Sequence, residues 1–229
     1  MRNNILVVTH ERSGTHLLIN IINSENNGNF RSIGKLPNNI EHNLENYKSY
    51  VYRHIVNTFY PNIISKSHHQ VEFYESFMDY LFDNYKVIYV KRDIKDVLVS
   101  YYHFLKRGDD FPEFKDWIFM NPKEIGNKYV DENPDPHIII EPKNHIDRIN
   151  LHYNGWMKYK DKLLVVSYED LLNDFSIQKE KLEDYLGKKV SDKLPDKNDK
   201  KLPNIKPNKG IIGWYKEFMD DELMEKINR

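Results

Sequence analysis

At 229 residues, with 39% hydrophobic side chains and many tyrosines and phenylalanines, the chain is long enough for one sizeable core and one domain. Its 34 Lys and Arg against 35 Asp and Glu lack the basic excess of a general nucleic-acid binder, and the absence of cysteine excludes disulfides, Cys-ligated zinc and a thiol nucleophile. The run Ile5-Leu6-Val7-Val8 is too short for a signal-peptide core, and nothing approaches the roughly 20 apolar residues of a membrane span, so a cytoplasmic protein with no membrane partner is expected.

In chain order, Ile5 to Thr9 reads as a buried strand. It ends in His10-Glu11-Arg12-Ser13-Gly14-Thr15, and Leu17, Leu18, Ile21 and Ile22 then recur at helical spacing. Residues 24–49 are rich in Asn, Ser and Gly and are expected to be an irregular excursion with little to pack. Ile63-Ile64 leads into Ser65-Lys66-Ser67-His68-His69, with a helix expected over 71–82. Lys86 to Val90 carries the clearest β-branched and aromatic strand pattern. It runs directly into Arg92-Asp93 and a helix whose face is Ile94, Val97, Leu98, Tyr101, Tyr102 and Leu105. Asp93 suits its N-cap, Asp96 its dipole and Gly108 its end. Residues 108–142 read as a loop or lid, 144–159 as a helix, and 163–167 as another strand. Helical patterning returns at 168–172 and 177–186, a Lys/Asp/Pro-rich connector covers 187–208, and a last helix covers 214–227.

Short apolar strands alternating with amphipathic helices predict a single α/β domain with a central parallel sheet flanked by helices. Ligands of such sheets sit beyond the carboxyl ends of the strands, where the main polar clusters fall. Arg12-Ser13-Gly14-Thr15, between a strand and a helix N-terminus, has the make-up of an anion cradle, with backbone N–H groups, hydroxyls and one guanidinium. The nucleotide-triphosphatase form, G-x-x-x-x-G-K-S/T, is not met, because Thr15-His16 stands where Lys-Ser/Thr belongs. The cradle is P-loop-like but is not built for magnesium-ATP. A simple turn with a Ser/Thr cap fits the local spacing equally well.

His10 to Leu18 resembles the 5′-phosphosulfate loop, Pro-(Lys/Arg)-Ser-Gly-Thr, of the sulfotransferases that use 3′-phosphoadenosine 5′-phosphosulfate (PAPS). Tyr89 to Phe104 is similar to that family's 3′-phosphate motif almost throughout. Val166-Ser167-Tyr168-Glu169-Asp170-Leu171 and Asn208-Lys209-Gly210-Ile211-Ile212-Gly213 resemble two further family segments, in the family's order. The resemblance implies that Arg12, Ser13, Gly14, Thr15, His16 and Leu17 cradle the 5′-phosphosulfate. Arg92 and Ser100 would take the 3′-phosphate, Tyr168 would lie near the base, and Asn208, Lys209 and Gly210 would close over the 3′-phosphate. Lys66-Ser67-His68 resembles the family's Lys-Thr-His, which implies His68 as the base and Lys66 as an aid at the transferred group.

Departures stand out as well. Glu11 replaces the usual Pro and is expected to point away from the polyanion or to pair with a lysine; Asn208 replaces an Arg. His69 is the base if the register shifts by one, and Glu141 or Glu132 if the base is a carboxylate, as in some family branches. The chemistry implied is sulfonate transfer from PAPS, leaving adenosine 3′,5′-bisphosphate (PAP), to a hydroxyl or amine of a small-molecule or carbohydrate acceptor. Regions 24–62 and 108–142 are expected to be variable acceptor-side or lid segments, with Tyr101, Tyr102, Phe104 or Phe111 lining the acceptor pocket. His145 and His152 share a helical face but suggest no third ligand, so no metal site is expected. An ATP-dependent kinase and an inactive nucleotide-binding protein of the same fold are the competing readings.

Overall fold

The computed structural model describes residues 4–23, 30–34, 36, 40–57, 62–106, 108–125, 137–195 and 210–228. Among these residues five strands run parallel: β1 (Asn4–Val8), β2 (Phe30–Ile33), β3 (Ile64–Ser67), β4 (Tyr85–Lys91) and β5 (Leu164–Ser167). Their order is β2-β3-β1-β4-β5, so the chain passes from β1 to the edge strand β2, returns through β3 beside β1, and then crosses to β4 and β5 on the other side. β1 therefore sits at the topological switch point, where the loops leaving neighbouring strands diverge and open a crevice. β1 is buried on both faces, which is why it reads as a continuous apolar run and not as an alternation.

Among the described residues ten α-helices accompany the sheet: α1 (Thr15–Ile22), α2 (Leu44–Val56), α3 (Met78–Asn84), α4 (Ile94–Leu105), α5 (Phe114–Trp117), α6 (Pro122–Ile125), α7 (His145–Met157), α8 (Tyr168–Asn173), α9 (Phe175–Leu186) and α10 (Asp221–Asn228). Alternate strand residues divide the core. Leu6, Val8, Val87 and Tyr89 pack with α2, α3 and Trp156 of α7. Ile5, Val7, Ile88 and Val90 pack with α1, Leu171 of α8 and Leu182 and Leu186 of α9. A third cluster joins α4 to α5, α6, Ile149 of α7, Trp214 and α10.

Several sequence expectations need correction. Residues 24–49 are not merely irregular, because β2 and the start of α2 lie there, and α2 buries Tyr47, Val51 and Ile55. Asn43 caps α2 by accepting the Asn46 N–H at 2.9 Å, so the same asparagines that suggested a loop serve as a helix signal. The helix expected over 71–82 is two 3-10 turns followed by α3, and the last helix splits into a 3-10 turn at 214–217 and α10. α4 ends before Gly108, with Lys106 at its C-cap. Asp93 does cap α4, accepting from the Lys95 N–H at 2.9 Å. The connector begins as packed structure: Val190 is buried, the Ser191 N–H donates to the Ile21 carbonyl, and Asp192 pairs with Lys179.

Candidate active site

The loop from β1 to α1 turns on two left-handed residues, Arg12 at φ 68° and Gly14 at φ 100°. A β-carbon on Gly14 would lie 2.3 Å from Cδ2 of Tyr168, so this position excludes a side chain both by backbone conformation and by space. Gly14 is also the N-cap of α1, and no side chain caps that helix. The N–H groups of its first turn thus lack a side-chain acceptor, which suits an anion. Ser13 and Thr15 are buried in the loop, and Thr15 Oγ1 lies 3.4 Å from Thr9 Oγ1. Leu17 packs against the α1 side of the core, and His16 Nε2 lies 3.3 Å from Lys66 Nζ. Burial, then Lys66 and Arg12, push His16 down to about 4, which keeps it neutral.

The loop meets α4 across 88 positions of sequence: Arg12 Nε donates to Ser100 Oγ at 3.3 Å. Arg92 fastens the same junction. Its guanidinium donates to the Arg12 carbonyl and to the Ile211 carbonyl, each at 3.1 Å, and lies 4.4 Å from the centroid of the Tyr168 ring. Arg92 Nε is buried with no hydrogen-bond partner among the described residues, which leaves a donor for a ligand. Tyr168 OH donates to the Gly210 carbonyl at 3.2 Å. Asp96 does more than complement the dipole of α4. It is fully buried, sits 3.9 Å from Arg92, and accepts the N–H groups of Gly213 and Tyr215 at 2.8 and 3.1 Å. One carboxylate thereby ties the segment after Gly210 to the first turn of α4.

Lys66 and His68 come off the carboxyl end of β3, beside β1. His68 Nδ1 lies 2.7 Å from the Thr9 carbonyl, which accepts only from a protonated nitrogen. That contact assigns the Nδ1–H tautomer and leaves Nε2 as a lone-pair acceptor. Burial, with Lys66 and His137 adding to it, holds His68 well below the usual imidazole range, and Glu11 and the Thr9 carbonyl oppose that shift. Burial lowers Lys66 as well; Glu11 opposes and Arg12 adds. His69 has different surroundings: it is fully enclosed, its Nδ1 is 2.9 Å from Ser67 Oγ, and its ring packs on Phe73 and His137.

Other sequence candidates fall elsewhere. Glu141 is exposed and bound to Lys123 at 2.7 Å in a surface pair. Glu132, Asn208 and Lys209 lie outside the described residues. Tyr101, Tyr102 and Phe111 are core residues, whereas Phe104 is exposed and lies 5.0 Å from the Arg12 guanidinium. His145 stacks on Trp117 and His152 meets Tyr89 OH at 2.9 Å, so the two histidines have separate partners.

The ion-pair partner of Glu11 is an arginine and not the expected lysine. Glu11 Oε1 accepts from Arg148 at 2.8 Å, a residue to which the sequence reading gave no role. The signal was present: α7 buries His145, Arg148, Ile149 and His152, an i, i+3, i+4, i+7 face with polar residues where a core helix carries aliphatic ones.

A cradle, two arginines and a lysine–histidine pair meet at the carboxyl ends of β1, β3, β4 and β5, a cationic, hydrogen-bonding setting that suits an anion. A family model described as Sulfotransferase domain matches residues 2–229, and the chain belongs to that family. It is 30% identical to human Sulfotransferase 1C2 over 122 residues, which are 50% of this chain and 34% of the human protein. The chain thus spans about a third of the length of that relative. With bovine Sulfotransferase 1E1 it shares 28% identity over 98% of this chain and 72% of the relative. Mouse sulfotransferase SULT7A1 complexed with PAP has the same fold, with a TM-score of 0.64 at 16% identity over 100% of this chain and 83% of the mouse chain.

Proposed function

We propose that this chain transfers a sulfonate group from PAPS to a hydroxyl or amine of a small-molecule or sugar acceptor. The observation that carries the reading is the Arg12–Ser100 contact, with Arg92 bound to the Arg12 carbonyl. It joins a phosphosulfate-type loop to a 3′-phosphate-type helix in one site. The residues fit the donor: an uncapped α1, a glycine that leaves room only for the Tyr168 ring, and an unpartnered Arg92 Nε.

PAPS supplies an activated sulfonate and a bisphosphate leaving group. Arg12, Ser13, Gly14, Thr15, His16 and Leu17 would hold its 5′ end, Arg92 and Ser100 its 3′-phosphate, and Tyr168 its base. Asn208, Lys209 and Gly210 would complete the enclosure. The guanidinium of Arg12 would stabilise charge on the leaving oxygen by hydrogen bonding, since arginine is no proton donor near neutrality. Lys66 would add a second cation at the transferred group. His68 Nε2, left basic by the Nδ1–H bond to Thr9, would take the acceptor's proton as the new O–S or N–S bond forms and the old S–O bond breaks. Segments 24–62 and 108–142 would set acceptor choice.

The test is release of PAP from PAPS by the purified chain across phenols, alcohols, amines and sugars. At least one acceptor should be sulfonated. H68A should lose about 100-fold or more of the rate while binding PAP as before. Phosphorylation from magnesium-ATP in place of sulfonation would favour the kinase reading, and full activity in H68A would move the base elsewhere.

A further inference from the structure

Arg12 carries the loop cation on a backbone conformation that L residues seldom adopt, with φ at 68°. Such a conformation persists only where surrounding structure holds it. Downstream, Arg92 donates to the Arg12 carbonyl, and Arg12 Nε donates to Ser100 Oγ. Upstream the grip falls on Glu11. The His10 ring donates from Nδ1 to the Glu11 carbonyl at 2.9 Å, and Arg148 donates to Glu11 Oε1 at 2.8 Å. Both holding groups are themselves fixed. The His10 ring meets Tyr101 and His152 edge-on, with centroids 5.7 and 5.9 Å apart, and the Arg148 guanidinium lies 4.8 Å from the Tyr101 ring centroid. Tyr101 belongs to α4, and His152 and Arg148 to α7, so one buried layer from two helices fastens residues 10 and 11. The Glu11 and Arg148 side chains are only 17% and 4% exposed. An ion pair so far from water seldom repays its desolvation through net stability, which points to a local role.

We propose that Arg148 is a positioning residue for the donor loop: through its pair with Glu11 it fixes the backbone entering Arg12 and so aims the Arg12 guanidinium. This deepens the sulfotransferase reading and rests on it. The residue type at position 11 gives a second line of support. Glu11 stands where the resembling loops have Pro, whose ring locks φ near about −65° through covalent bonds. The Glu11 φ lies outside the positive region, so a proline's angle is open to this position. A glutamate has no ring, but a side chain clamped at its far end restricts the same peptide by tertiary contact. The clip is a carboxylate on the loop and its cation on α7, 137 positions later, and each is out of place without the other. The same contact limits the cost of a carboxylate beside an anion cradle, because Arg148 cancels its charge at hydrogen-bond distance.

The test uses the full chain and two readouts. One is NMR-detected hydrogen exchange of the Ser13 backbone N–H, which donates to the His10 carbonyl across the turn at 3.3 Å and needs no ligand. The other is PAP affinity by calorimetry, at a temperature well below each variant's melt. Glu11→Gln/Arg148→Met leaves no buried ion unpaired, and it covers the case in which Arg148→Met alone does not fold. Both variants should speed Ser13 exchange about tenfold or more and weaken PAP binding about tenfold. Glu11→Pro/Arg148→Met should return both values to within about threefold of wild type, because the ring restores the restraint without the pair. An ion pair that only stabilises the fold would lower the melting temperature and leave PAP affinity alone, so wild-type values in the Gln/Met variant overturn the proposal. A proline variant that restores neither value overturns it too, since the pair would then act by charge and not by fixing the backbone. A wild-type chain that binds no PAP, with Ser13 exchange still answering to the variants, would sink the sulfotransferase reading and leave the backbone clip standing.

Discussion

Gly14 is the residue on which the site's geometry turns. Its φ of 100° is unfavourable for any L side chain, and the Tyr168 ring occupies the space a β-carbon would need. Gly14→Ala should cost on the order of 1–3 kcal/mol in backbone strain alone. It should also push Tyr168 off Arg92 and Gly210, so that stability and PAP affinity fall together. A thermal melt should move down by roughly 2–4 °C per kcal/mol for a chain of this size. An unchanged melting temperature would mean that the loop relaxes, contrary to the packing described here. Residue identity made Gly14, Arg12, Arg92 and Ser100 legible in the sequence, because each stands in a motif with fixed spacing. The partner of Glu11 was not legible: Arg148 lies 137 positions away, and only the fold brings the two together.

At the scale of elements, the strands and the helices that follow them were readable because their apolar runs and periods are unbroken. The sequence outlines β1, β4 and β5 to within a residue, and Asp93 announces the start of α4 by its cap. α2 was missed because its composition is polar and its buried face is only Tyr47, Val51 and Ile55, spaced four apart on a tyrosine-rich, charged surface. The 3-10 turns at 71–77 and 214–217 were read as parts of α-helices because both helix types place apolar residues three apart. The role of Asp96 was hidden for a related reason. A carboxylate in a helix's first turn has a sufficient local explanation, while its actual partners, the N–H groups of Gly213 and Tyr215, belong to a segment more than a hundred residues later.

Across the whole molecule, histidines held neutral inside the fold make stability depend on pH. Burial, followed by the charge of His10, lowers His152 to about 3, and burial, Lys66 and Arg12 lower His16 to about 4. In the unfolded chain both titrate near about 6.5. Below that value the unfolded state takes up protons that the folded state refuses, so their stabilising contribution is complete above about pH 6.5 and is lost as pH falls toward 4 and then 3. Urea unfolding should therefore show a clear drop in stability between pH 7.5 and pH 5, with His152 alone accounting for roughly 2 kcal/mol. A flat profile across that range would mean that these histidines are protonated in the folded chain.

The central claim is a donor site that recognises a 3′-phosphate, and calorimetric titration with PAP, against AMP and magnesium-ATP, tests it most directly. The wild-type chain should prefer PAP to both, and Arg92→Ala should lose about tenfold or more of that affinity, in line with the loss of charge-assisted hydrogen bonds to phosphate. Absence of PAP binding, or tighter binding of magnesium-ATP, would contradict the assignment.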